Sequence, residues 1–148
     1  MPLPVPEPGL VIHYEFLWSH EHASGAAEGA KRRPAVIIVA TKIENDRTRV
    51  VVAPITHAPP TATAAAIEIP PKVKTYLKLD SQRSWVVLNE LNEFVWPGFD
   101  LYSIPGAPAG TFHYGFIPPS LFNQIKQRIL ALDAKLKSAI SRDDRDTR

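Results

Sequence analysis

The chain has 148 residues, 45% of them hydrophobic and 22% charged, values that fit one globular domain with a sizeable core. It contains no cysteine, which excludes a disulfide framework and a thiolate metal site, and a formal charge of +2 does not by itself establish nucleic-acid binding, although pI ≈ 9.0 permits it. No apolar run approaches the roughly 20 residues of a membrane span, and the first residues lack the basic start and apolar core of a secretion signal, so a cytoplasmic protein without membrane association is expected.

Pro2, Pro4, Pro6 and Pro8 fix φ at alternate positions and predict an extended arm over 1–8. A single domain is expected over 9–140. Leu10, Ile12, Tyr14, Phe16 and Trp18 share one face of a period-two strand, opposite Val11, His13, Glu15 and Leu17. The segment 19–31, with His20, Glu21, His22, Gly25 and Gly29, reads as a polar loop, either a gating element or an ordinary connection. Two histidines in such a loop more often face solvent than hold a metal, and no metal or other cofactor is expected.

The loop leads into the densest basic cluster, Lys31-Arg32-Arg33. Ala35–Ala40 and Val50–Ile55 are near-continuous runs rich in β-branched residues, which predict paired strands buried on both faces. Glu44-Asn45-Asp46-Arg47-Thr48 suits the turn between them. Antiparallel pairing would set Arg32 and Arg33, at the start of one strand, beside Thr56 and His57, at the end of the other.

Ala66–Ile69 predicts a short strand stopped by Pro70-Pro71, and 72–79 a helical turn or two with Val73, Tyr76 and Leu77 inward. Ser84–Asn89 predicts another strand, 90–96 is mixed, and Leu101–Ile104 with Thr111–Ile117 suggests a hairpin. After Pro118-Pro119, apolar residues recur at Leu121, Phe122, Ile125, Ile129, Leu132, Leu136 and Ile140, the spacing of an amphipathic helix over 118–140. A disordered tail is expected over 141–148. The fold class expected is therefore mainly β with a C-terminal helix, a small strongly bent sheet or barrel.

No Gly-rich phosphate loop, G-x-S-x-G elbow or H-E-x-x-H pair occurs. What remains is the Arg33/Thr56 end of the hairpin. Arginine's planar fork holds phosphate bidentately and keeps its charge, and a threonine hydroxyl can hold a further oxygen. On the residues alone, a surface-paired arginine and a turn-capping hydroxyl are the readings favoured over a phosphate site.

The order Pro8-Gly9-Leu10-Val11-Ile12, a glycine-containing loop, Arg33-Pro34-Ala35-Val36, Val52-Ala53-Pro54-Ile55-Thr56, and then Ser84-Trp85-Val86-Val87-Leu88-Asn89 with Trp96, resembles the MazF/PemK family of toxin–antitoxin ribonucleases, from about Gly9 to Leu132. The resemblance implies an SH3-like small barrel of the MazF/PemK/CcdB type and a homodimer. It also implies a type II growth-inhibiting toxin, paired with a cognate antitoxin, that cleaves single-stranded RNA (mRNA) at short sequences without a metal. In that chemistry the substrate's own 2′-OH attacks the adjacent phosphate, leaving a 2′,3′-cyclic phosphate and a 5′-OH. Arg33 would then stabilise the phosphorane and Thr56 would fix the phosphate.

Two positions depart from the family pattern. Asn89 stands where many members carry an acidic residue, and Val87 where some carry an arginine. Asparagine hydrogen-bonds but is no base at neutral pH. Glu90, Glu93, His57, His20 and His22 are the candidate substitutes; His57 is preferred because it follows Thr56 and imidazoles ordinarily exchange protons near neutrality. The expected catalytic set is Arg33, Thr56 and His57, with Lys31, Arg32, Trp18, His20, His22, Asn89 and Glu90 as RNA-binding residues. The alternative is a weakened or inactive relative that serves as an RNA- or protein-binding module.

Overall fold

The long hairpin that the β-branched runs predict is the centre of the computed structural model, which describes residues 3–18, 21, 23–25, 31–60, 65–132 and 138–142. Strands β1 (Leu10–Glu15), β2 (Arg32–Lys42) and β3 (Thr48–Thr56) lie antiparallel, β2 between the other two. The β2–β3 ladder runs from Lys42↔Thr48 to Ala35↔Pro54. Asn45 (φ 62°) and Asp46 (φ 59°) turn the chain between them in the left-handed region that their short polar side chains tolerate. The remaining elements are β4 (Ala66–Glu68), α1 (Pro71–Tyr76), β5 (Trp85–Val87), β6 (Glu90–Val95), β7 (His113–Phe116), α2 (Pro119–Ala131) and β8 (Ser138–Ser141).

β3 changes partner along its length. Arg49–Val52 pairs with β6, whereas Ile55 and Thr56 pair with β5. Meanwhile β2, from Val36 down to Arg32, pairs with β1. Past the last rung, Ala35↔Pro54, β2 therefore follows β1 while β3 follows β5, and the two strand ends fork apart. Pro34 and Pro54 sit at this fork, where the lack of a backbone N–H costs no rung.

Both faces of the central strands are covered, as their continuous apolar character requires. Val11, Val36, Ile38, Ala53 and Ile55 pack with α2 residues Leu121, Ile125 and Ile129. Leu10, Ile12, Tyr14, Phe16, Ile37, Val50, Val52 and Phe94 form the second layer, with Trp18 and Trp96 at its margin. The sheet does not close among the described residues: β4, β7 and β8 each pair with a single strand. The protein is thus mainly antiparallel β with one long helix towards its C-terminus. No helix among the described residues is long and apolar enough to cross a membrane.

Four expectations are corrected. The helix predicted over 118–140 ends at Ala131; Leu132 is already extended (ψ 138°), and Ser138–Ser141 runs parallel to β6 from Glu90↔Ser138 to Glu93↔Ser141. The open backbone edge of β6 overrides the helical spacing of Ile140. The tail expected over 141–148 does not include 141 and 142: Ser141 ends β8 and Arg142 is buried, its N–H donating to Glu93 O (2.7 Å) and its guanidinium gripping Asp100 at 3.1 and 2.9 Å. Residues 143–148 lie outside the described residues, as do 1 and 2 of the N-terminal arm. In α1, Tyr76 faces out (69% exposed) and Lys74 faces in (6%). Finally, the hairpin expected between 101–104 and 111–117 is reduced to a single backbone bond, Ile104 N–H to Thr111 O (2.8 Å), while Leu101 bridges Tyr14 and β7 pairs with β1.

Candidate functional site

The fork between β2 and β3 opens into two adjoining clefts. Lys31, Arg33, Thr56 and His57 line both. The larger, about 470 Å³, adds Trp18, Pro59, Pro60, Val87 and Asn89; the smaller, about 210 Å³, adds His13, Arg32, Lys74 and Asp80. Arg33, Thr56 and His57 are thus brought together at the shared boundary.

Arg33 projects from the start of β2 with its guanidinium 5.1 Å from the Trp18 ring centroid. Its Nε is buried with no hydrogen-bond partner among the described residues. Burial pushes its pKa down, while the nearby Glu21 charge acts the other way. Trp18 is itself anchored. Asn92, fully buried in β6, accepts from Leu17 N–H (2.9 Å) and donates to Leu17 O (2.8 Å), and Trp18 N–H donates to Glu21 Oε1 (3.0 Å). The sequence reading missed Asn92; its polar side chain among the buried residues of β6 was the available signal.

Thr56 ends β3, and its Oγ1 accepts the Ala58 N–H (3.2 Å). The turn-capping reading is therefore true, and it leaves the hydroxyl proton for another acceptor. His57 Nε2 lies 2.7 Å from Asp80 Oδ2. Asp80 Oδ1 in turn accepts from Lys74 Nζ (2.7 Å), which also donates to Gln82 O (2.6 Å) and to the Ser84 hydroxyl. Burial tends to raise the Asp80 pKa, but the hydrogen bond and charge of Lys74, followed by those of His57, hold it below the usual carboxylate range. Neither Asp80 nor Lys74 was singled out from the sequence, where nothing marks them as neighbours of His57.

The other expected residues separate. Arg32 stacks on Tyr102, 3.5 Å from the ring centroid, and lies 4.0 Å from the Glu15 carboxylate. Asn89 faces the larger cleft, while Glu90 is among the described lining residues of neither. Glu93 is 4.0 Å from Arg49, away from the fork. His20 and His22 lie outside the described residues. His13 reaches the smaller cleft, and its Nδ1 is 2.9 Å from the Tyr114 hydroxyl. Among the described residues no cluster of three or more His, Asp or Glu could hold a metal.

Cationic, hydroxyl and imidazole groups thus meet at the forked end of an antiparallel sheet. The comparison of families is specific. Residues 14–94, from β1 through most of β6, match the PemK-like, MazF-like toxin of type II toxin-antitoxin system. That stretch is more than half of the chain, and this protein belongs to the family. A type II system implies an antitoxin partner. No curated protein matches the chain.

Proposed function

We propose that this toxin is an endoribonuclease that cleaves single-stranded RNA at the forked end of β2 and β3. The observation that carries the reading is the convergence of Arg33, Thr56 and His57 on one cleft. His57 accepts the proton of a ribose 2′-OH as that oxygen attacks the adjacent phosphorus. Arg33, with its Nε unpartnered among the described residues, stabilises the charge that builds on the phosphorane, and Thr56 donates its hydroxyl to a phosphate oxygen. The 5′-oxygen departs and takes a proton from solvent in the open cleft, leaving a 2′,3′-cyclic phosphate. The reaction uses the substrate's own nucleophile and needs no metal ion.

The larger cleft suits a base. Trp18 supplies a stacking face, Pro59 and Pro60 an apolar wall, and Asn89 a donor and an acceptor for a base edge. Lys31 and Arg32 take up neighbouring phosphates. Action as a cytoplasmic homodimer on mRNA belongs to the same reading. Incubation with a single-stranded RNA, and with the same sequence carrying 2′-deoxyribose throughout, tests it. Only the RNA should be cut, with or without a chelator, and the new ends should be cyclic phosphates. Equal cleavage of both, or cleavage only after metal is added, refutes the mechanism. Asn89 in the cleft favours a second reading, a module that binds RNA and leaves it intact over hours, with Arg33→Ala weakening that binding.

A further inference from the structure

A histidine base works only when the correct ring nitrogen is unprotonated, and at His57 the neighbouring side chains decide this. We propose that Asp80, locked by the buried Lys74, is a positioning residue that fixes His57 in the tautomer with a protonated Nε2, leaving Nδ1 to accept the proton of the substrate. The proposal rests on the nuclease reading for its substrate, but the tautomer itself is a property of the free protein.

An ionised carboxylate only accepts hydrogen bonds, and an ammonium only donates, with three protons to place. Lys74 Nζ meets three acceptors: Asp80 Oδ1, Gln82 O and Ser84 Oγ. All its protons are engaged and the side chain is 6% exposed, so it is not a spare phosphate ligand in the groove. Its charge keeps Asp80 ionised, as the lowered carboxyl pKa indicates. One carboxylate oxygen is thereby committed to Lys74, and the other sits 2.7 Å from His57 Nε2. At that separation a proton must lie between the two atoms, and only the imidazole can supply it.

The surroundings add to the case. Among the described residues lining the smaller cleft, Asp80 is the sole carboxylate, amid Lys31, Arg32, Arg33, Lys74, His13 and His57. His57 and Asp80 have side chains 46% and 52% exposed, too open for their pairing to matter much to stability. The fixed element is the buried lysine behind them. A buried ammonium spent on orienting a half-exposed carboxylate makes sense if the orientation of the next group matters.

The substitution Asp80→Asn gives a sharp consequence. Lys74 can only donate, so it draws the new carboxamide oxygen to itself and turns the NH₂ group towards His57. Nε2 must then accept, and the ring proton moves to Nδ1. The imidazole is still present, but it now offers the wrong nitrogen. Two measurements test this. Two-bond ¹⁵N–¹H correlation spectra, recorded above neutral pH, should show His57 protonated at Nε2 in the wild type and at Nδ1 in Asp80→Asn. Turnover of RNA by Asp80→Asn should fall on the order of 10²–10⁴-fold, the usual worth of a general base, with KM little changed.

A wild-type His57 protonated at Nδ1, or an Asp80→Asn protein with wild-type turnover, overturns the proposal. A wild-type protein that leaves RNA intact overturns the nuclease reading instead, and the spectrum then decides the tautomer by itself.

Discussion

Arg33 combines an incomplete environment with a functional position. Its Nε is buried without a hydrogen-bond partner among the described residues, a condition that ordinarily costs about 1–3 kcal/mol. Bound phosphate oxygens would relieve that cost. Arg33→Met keeps an apolar side chain under Trp18 and deletes the orphan donor. Its thermal midpoint should equal or exceed that of the wild type, while RNA cleavage falls on the order of 10²–10³-fold. Parallel melting and turnover assays check this; a variant that is destabilised yet fully active would make the guanidinium a structural group. Arg33 and Thr56 were legible in the sequence because they stand where apolar runs begin and end. Lys74 was not, since apolar periodicity placed Tyr76 inward instead. A buried ammonium becomes intelligible only when Asp80, Gln82 and Ser84 are seen to converge on it.

At the scale of elements, composition and period read the central hairpin well, because a β-branched run buried on both faces has few alternatives. The failures lie where one element completes another. Ile140 continues the three-to-four spacing of α2, yet Ser138–Ser141 supplies a ladder to the edge of β6, which no periodicity could foretell. β8 is fastened by Arg142, whose bidentate bond to Asp100 has both side chains 2% exposed. Asp100 also holds β1, its carbonyl accepting the Glu15 N–H at 2.9 Å. Arg142→Ala breaks a buried pair and should cost about 3–5 kcal/mol in denaturant unfolding. A loss no larger than that of an exposed charge would mean that β8 is dispensable to the fold.

For the molecule as a whole, the buried His13 and the partly buried Tyr114 each contribute to the pH dependence of stability. His13 on β1 is 2.9 Å from the hydroxyl of Tyr114 on β7. Burial, and then the charge of Arg32, push the His13 pKa below its ordinary 6.5. As pH falls through that value the unfolded chain takes up a proton that the folded chain refuses, so stability is full above it and declines below. Burial, and then the charge of Asp80, push the Tyr114 phenol up to about 12 from 10.0. Between those values the unfolded phenol ionises first, and stability declines as pH rises. His13→Gln keeps a hydrogen-bonding partner for Tyr114 but does not titrate. Thermal midpoints measured across pH should fall less steeply on the acid side for this variant than for the wild type, and identical acid limbs would show that His13 does not contribute.

The fork has a consequence for control. Its walls, Arg33-Pro34 and Ile55-Thr56, are direct continuations of the rung Ala35↔Pro54. Widening the gap would unzip the central hairpin, and closing it would call for a rung at Pro34, which has no N–H to donate. The groove thus has no low-cost closed form for an inhibitor to select. An antitoxin segment that fills the groove would leave the hairpin as it is, and its removal would return the same groove with nothing left to refold.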